Sequence, residues 1–387
     1  MEAVGVISYR NEDMVMIKLS RGCCEEEELQ QVKEAFDYGY FGLAYKTDEF
    51  EQEIGRYLNT PRSVIVTNTG TTALHLALDT IGVSQGDEVI MPSFTFAATA
   101  QAVKMCGAKP VFCEVHSDTF LMDTDDVKRK ISDRTKAVIP VHYAGRPCDM
   151  DILMEIHSKT GIRIVEDAAH AFGSEYKGRK IGAFGDITCF SFDSIKVITC
   201  GDGGAVITDD PLFEELSRKK RLLGIDRKTM VTKDWKKRSW MYDVTVPGYR
   251  YHLGNINAAI GLAQIKKTDR FIQRRREICH LYDKELHGIK GIERTPDDYD
   301  TITPFMYAVR VKEGKRNLLK DYLMGYDIET GISYIPCHTF QLFHEEEIQL
   351  PITDEIFKEI LCLPVHPELA DEEVIEVSRR IREFMEL

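Results

Sequence analysis

Three stretches of the chain carry residue types that do chemistry. In Thr69-Gly70-Thr71-Thr72-Ala73-Leu74, the apolar run Val64–Val66 leads through small hydroxylated residues into a helical pattern. A turn of that kind exposes unpaired backbone N–H groups at the positive end of a helix dipole, and hydroxyls add donors, so a phosphate fits. A plain helix cap uses the same residue types. In Glu166-Asp167-Ala168-Ala169-His170, a carboxylate follows the apolar run Arg163–Val165 and stands at the C-terminal edge of a sheet, where ligands of open α/β sheets gather. His170 shares the face of Asp167 if a helical turn starts there. An N-cap acid beside a satisfied histidine is the structural alternative. In Phe190-Ser191-Phe192-Asp193-Ser194-Ile195-Lys196, one lysine sits among apolar and small residues before the glycine-rich reversal Gly201-Asp202-Gly203-Gly204. Burial disfavours an ammonium and yields the neutral amine that attacks a carbonyl. An ordinary surface lysine is the alternative.

Taken together, these stretches supply a phosphate cradle, an acid and an amine, in that order along the chain. Pyridoxal 5′-phosphate needs that set: a lysine to tether it, a helix N-terminus for its phosphate, and a carboxylate that keeps its pyridine nitrogen protonated and electron-withdrawing.

The elements that must position these residues follow from hydrophobic periodicity. Amphipathic helices are expected over Cys24–Tyr38 and Asp48–Leu58. From residue 63, apolar runs at Val64–Val66, Glu88–Met91, Lys109–Val115, Ala137–His142 and Arg163–Val165 alternate with helical stretches such as Thr72–Ile81 and Met150–Thr160, and a further strand is expected at Ala205–Thr208. Such alternation makes βαβ units and a mostly parallel sheet covered on both faces. Ile256–Leu286 reads as one long helix leaving the sheet region, and Tyr307–Val311, Arg316–Leu323, Thr330–Ile335 and Asp371–Phe384 suggest a smaller α+β unit closed by a helix. The expected division is therefore residues 1–260 for a large α/β domain with N-terminal helices and 261–387 for a small C-terminal α+β domain.

Composition excludes several classes. With 387 residues, 50 Lys plus Arg and 63 Asp plus Glu, the formal charge is −13, which repels polyanions and makes nucleic acid an unexpected partner. The basic runs Arg218–Arg221 and Lys236–Arg238 read as solvated faces, or the second, with Arg250, as an attractor for an anionic sugar; Trp235 and Trp240 flank it and line a pocket or pack the loop. The ten cysteines form no CxxC pair and read as reduced core thiols. No histidine spacing suggests a metal. Met1–Met16 lacks the apolar centre of a signal peptide, and no run approaches the ~20 apolar residues of a membrane span, so a cytoplasmic protein is expected.

From about Leu19 to the C-terminus the sequence resembles the DegT/DnrJ/EryC1/StrS sugar aminotransferases, which are fold type I pyridoxal-phosphate enzymes. The likeness is densest in Gly86-Asp87-Glu88-Val89, Pro92-Ser93-Phe94-Thr95-Phe96, Pro140-Val141-His142-Tyr143-Ala144-Gly145, Glu166-Asp167-Ala168-Ala169-His170, Ser191-Phe192 to Lys196, and Gly248-Tyr249-Arg250-Tyr251-His252. The resemblance implies a fold type I transferase, α/β, with a large mostly parallel sheet domain and a smaller C-terminal domain. It implies that Lys196 tethers the cofactor and moves the proton, that Asp167 pairs with the pyridinium, and that His170 lies on the phenolic side of the ring. Thr71 and Ser191, with the Gly70 to Thr72 backbone, would hold the phosphate. Phe96 rather than Phe94 would stack on the ring. Residues Gly248 to His252 would reach a partner's site in a homodimer with two shared sites, with His252 where many relatives contact the phosphate through Asn or Arg. Tyr45, Arg250, Tyr334 and His338 are the substrate-side candidates, a structural histidine being the alternative at His338. Ala44-Tyr45 and Arg21-Gly22 depart from the Gly-Pro and Arg-Pro common among relatives. The implied reaction moves an amino group from L-glutamate to a keto- or aldehyde-sugar, commonly nucleotide-linked, for surface polysaccharide or lipopolysaccharide. The alternatives are a free acidic sugar such as 8-oxo-Kdo, and a cofactor-binding regulator without turnover.

Overall fold

A computed structural model of the chain describes residues 16–226, 242–295 and 297–387. Lys236–Arg238, Trp235 and Trp240 lie outside the described residues, as does nearly all of the Met1–Met16 lead.

Helices α1 (Glu26–Tyr38) and α2 (Tyr45–Leu58) precede an alternating stretch. It comprises β1 (Ser63–Thr67), α3 (Gly70–Thr80), β2 (Glu88–Pro92), α4 (Ala97–Met105), β3 (Lys109–Cys113), α5 (Thr124–Lys130), β4 (Thr135–Val138), α6 (Met150–Thr160) and β5 (Arg163–Asp167). The hairpin β6 (Glu175–Tyr176) and β7 (Arg179–Lys180), then β8 (Ile187–Ser191), β9 (Gly204–Thr208), α7 (Pro211–Lys220), and the short pair β10 (Ile225–Asp226) and β11 (Asp243–Val244) follow. The remainder is α8 (Asn255–Gln264), α9 (Thr268–Glu285), β12 (Ile292–Arg294), β13 (Tyr307–Val311), α10 (Arg316–Met324), α11 (Pro351–Glu359), β14 (Ile360–Leu363) and α12 (Asp371–Met385).

Seven strands form one sheet in the order β1-β9-β8-β5-β4-β2-β3, parallel except where β9 pairs with β1 and β8. Both faces are buried, because successive strand side chains point to opposite sides. Ile65, Met91, Val165 and Cys189 join the α3 and α4 side, while Val64, Val66, Phe190 and Ile207 join a second cluster with Phe50 of α2 and Leu262 of α8. The sheet is mostly parallel, as the alternating pattern predicts. In the C-terminal part β12, β13 and β14 make a three-stranded antiparallel sheet, packed with Ile278 of α9 and Val377 of α12.

Two expected elements differ. The helix expected over Ile256–Leu286 breaks into α8 and α9 at a short turn, Ile265–Lys267, where Gln264 donates to Cys23 O and Glu28 while Lys267 meets Glu25, Glu27 and Glu28. Those side-chain bonds to the start of α1 fix the chain direction at the junction. Thr330–Ile335 forms no strand; Gly331 bridges Cys362 at one point, so the segment lacks the ladder a strand needs.

Candidate active site

The carboxyl ends of β1, β2, β5 and β8 share one edge of the sheet, and each is followed by a segment singled out above. After β1, Thr69 caps α3: Thr72 N donates to Thr69 Oγ1 at 3.0 Å and Thr69 N donates to Thr72 Oγ1 at 3.1 Å. The Thr72 hydroxyl donates to Asn68 Oδ1 at 2.7 Å. Thr72 is thereby committed to the cap, leaving Gly70 and Thr71 as the first-turn N–H donors the cap does not use. Gly70 lies so close to the end of β8 that a Cβ there would meet Ser191 Cβ at 2.7 Å and Ser191 Oγ at 3.0 Å. Only glycine lets the helix start sit beside that hydroxyl.

At the end of β5, alternation sends Glu166 and Asp167 to opposite faces. Glu166 is fully buried and accepts from Thr188 Oγ1 (2.6 Å), Gly185 N (2.8 Å) and His142 Nε2 (3.0 Å). Burial alone would raise its carboxyl, but these donors hold it below the usual carboxylate range. His142 Nδ1 accepts from Cys148 N at 3.0 Å, which leaves the ring proton on Nε2 for Glu166. Asp167 is also buried, and its two oxygens accept from Thr99 Oγ1 (2.7 Å) and Ala169 N (3.2 Å). Burial pushes the Asp167 carboxyl up, against these donors and the Lys196 charge. After β5 a single turn closed by Ala171 N and Ala168 O carries His170.

Burial pushes the Lys196 amine down to about 8, against the attraction of Asp167 and Asp193, and the amine makes no hydrogen bond among the described residues. It lies 4.4 Å from the ring centre of Phe305. The same ring stacks on His170, centroids 4.1 Å apart and planes 11° off parallel. Burial, with the Lys196 charge, keeps His170 well below its ordinary range, so it is neutral. His170 Nε2 lies 3.0 Å from the Tyr334 hydroxyl, and Nδ1 is buried without a partner among the described residues. Tyr334 in turn meets Phe96, with ring centres 5.7 Å apart. Phe96 is 59% exposed, whereas Phe94 is wholly buried against Phe120 and Tyr143.

Thus Asp167, His170, Lys196, Tyr334 and Phe96 come together, with Gly70, Thr71 and Ser191 beside them. Other candidates engage elsewhere. Tyr45 meets Tyr38 edge-on at 4.7 Å, and Arg250 is exposed where its backbone bridges Leu222. His252 bridges Thr67 at the end of β1. His338 is buried with Nδ1 2.7 Å from Ser93 Oγ and Nε2 3.3 Å from Asp354, so both ring nitrogens already have protein partners. Arg218, Lys219, Lys220 and Arg221 are each in ion pairs, with Glu51, Asp226, Asp79 and Glu51, which removes the basic face that a nucleic-acid reading of that run requires. The sequence reading passed over Phe305, Thr99 and the His142–Glu166 pair as site residues. The last was visible as residue types inside two singled-out motifs; the first two carried no local signal.

The chain matches the DegT/DnrJ/EryC1/StrS aminotransferase family over residues 22–382. It is 37% identical over 339 residues to the GDP-perosamine synthase of Escherichia coli O157:H7, covering 87% of this chain and 89% of that protein. Its fold is similar to that of the aminotransferase TlmJ from Streptoalloteichus hindustanus, with TM-score 0.89 and 33% identity over 95% of this chain and 98% of the other. It is similar also to Spr1654 from Streptococcus pneumoniae in its PLP-form, with TM-score 0.87 and 29% identity over 96% and 100% of the two chains.

Proposed function

This chain belongs to the DegT/DnrJ/EryC1/StrS aminotransferase family and is a pyridoxal-phosphate-dependent sugar aminotransferase; from that premise we propose that it transfers the amino group of L-glutamate to a nucleotide-linked keto-sugar. The observation that carries the assignment of residues is the convergence of the Asp167 carboxylate, the Lys196 amine and the Gly70–Ser191 contact at one sheet edge.

The residues fit the cofactor. Asp167 is a buried carboxylate with two neutral donors, which a protonated pyridine nitrogen would complete. Lys196 is an amine with no hydrogen bond to break. Gly70 and Thr71 N–H with Ser191 Oγ suit a phosphate, and exposed Phe96 offers a ring face. When bound, pyridoxal phosphate supplies a carbonyl that holds the amino group and a ring that takes up carbanion charge.

Lys196 Nζ then moves the proton from the substrate carbon and returns it one position away, a task for an amine able to change protonation near neutral pH. Asp167, its oxygens oriented by Thr99 and Ala169, would hold the pyridine proton. Neutral His170 and the Tyr334 hydroxyl present hydrogen-bonding groups without adding charge. Tyr45, Arg250 and His252 would act on the substrate or phosphate side within a cytoplasmic homodimer whose two sites share residues, whereas His338, held by Ser93 and Asp354, takes the structural role. No helix among the described residues is long and apolar enough to cross a membrane.

The similarity to a GDP-perosamine synthase supports the nucleotide-linked substrate. Incubating the enzyme with glutamate and a panel of nucleotide-linked keto-sugars, with 8-oxo-Kdo as the free acidic comparison, and following 2-oxoglutarate, tests it. Turnover confined to nucleotide-linked sugars is expected; preference for the free sugar would overturn the substrate assignment.

A further inference from the structure

Phe305 belongs to none of the motifs, yet its ring touches both Lys196 and His170. It precedes β13, far along the chain from either. Its backbone is fastened at both ends: Phe305 N donates to Ala144 O at 3.1 Å, and Phe305 O accepts from Arg275 Nη1 at 3.2 Å. Arg275 is 1% exposed and also donates to Pro304 O and Val365 O, so the guanidinium serves as a fastener of backbone carbonyls. A ring held this firmly is a fixed surface for whatever lies against it.

A lysine side chain with no hydrogen bond would sweep through many rotamers. We propose that Phe305 is a positioning residue for the transfer: its ring is the seat to which the Lys196 amine returns whenever that amine is not bonded to cofactor, and it holds His170 flat alongside. This rests on the assignment of Lys196 made above. An aromatic face attracts an ammonium through its quadrupole, while burial repels one. The charged groups facing the amine are Asp167 from β5 and Asp193 from its own loop, both attractive, with neutral His170, bonded to the Tyr334 hydroxyl, also nearby. The ring therefore offsets part of the burial cost, leaving an amine that both gives and takes a proton.

The test is the protonation midpoint of Lys196 in the full-length protein loaded with pyridoxamine phosphate, read by trace acylation at increasing pH and mass spectrometry of the peptide. The wild-type midpoint is expected near 8 in the cofactor-free protein, and the wild-type value with pyridoxamine phosphate bound is the reference for the variants. Phe305→Leu should lower it by about half a unit or more, since a cation–π contact is lost while the site stays apolar, and Phe305→Tyr should restore it. In steady state, Phe305→Leu should lower kcat while leaving KM for the donor unchanged. Should Phe305→Leu fail to fold, phenylalanines with one, two and three ring fluorines at position 305 decide the matter, because they drain the ring face with little added volume. A stepwise fall in midpoint supports the inference; a flat series, or an unchanged midpoint in folded Phe305→Leu, overturns it. If borohydride fixes no cofactor on wild-type Lys196, the underlying assignment fails and this inference with it; a flat series on a tethering wild type overturns only the seat.

Discussion

Asp167 and Lys196 carry opposite electrostatic burdens in the same buried place. Burial disfavours both charges, raising the carboxyl and pushing the amine down to about 8. For Lys196 the sign is definite: the unfolded chain holds the proton up to the ordinary lysine value, so it binds more protons than the folded chain between about 8 and that value. Stability contributed by this site therefore rises with pH across that window, and the full cost of the buried ammonium is present below it. Lys196→Met should accordingly melt higher than wild type at neutral pH without cofactor, and the gain should shrink as pH rises above 8. Thr99→Val removes the donor from one Asp167 oxygen. Losing that donor should push the Asp167 carboxyl higher still and weaken its pairing with a pyridinium, so half-saturation with pyridoxal phosphate should rise, measured by fluorescence titration. At this scale Lys196, Asp167 and His170 could be singled out from the sequence because they sit in local runs whose chemistry is readable. Phe305 and Thr99 do not appear that way, since an isolated phenylalanine or threonine acquires its role only from what folding sets against it.

In the proposed site, the start of α3 is the element that would hold the cofactor's phosphate. Its cap consumes Thr72, and its first residue must be glycine because β8 passes so close. Gly70→Ala would force a methyl group into Ser191, an overpacking cost of about 1–3 kcal/mol, and should displace the first-turn N–H donors. The expected outcome is weaker cofactor binding with a far-UV spectrum close to wild type, checked by titration and circular dichroism; Gly70→Ala with wild-type affinity would separate the cradle from phosphate binding. Element type was legible where a segment carries its own pattern, as in the amphipathic α6, found over Met150–Thr160, and the apolar run of β13, found over Tyr307–Val311. It was not legible where tertiary contacts decide. Gln264 and Lys267 break a continuous helical pattern by bonding to α1, and Thr330–Ile335 has strand-like residues but pairs with Cys362 only at Gly331.

Across the whole molecule, the site depends on contacts that join the large sheet to the C-terminal sheet. Gly145, in the turn after β4, packs where a Cβ would overlap Thr303 O, bringing that turn against the loop that carries Phe305. Glu114, after β3, accepts from Ile352 N, Thr353 N and the Thr353 hydroxyl at the start of α11, where a carboxylate also complements the helix dipole. Glu114→Ala should destabilise the protein by about 1–3 kcal/mol, seen as an earlier denaturant midpoint, without changing the Lys196 protonation midpoint. The central claim is the bond between cofactor and Lys196. Reducing the yellow holoenzyme with borohydride and mapping its peptides tests it most directly. The cofactor mass is expected on the peptide bearing Lys196, with that adduct lost in Lys196→Ala. An adduct on another lysine, or a protein that takes up no pyridoxal phosphate, would contradict it.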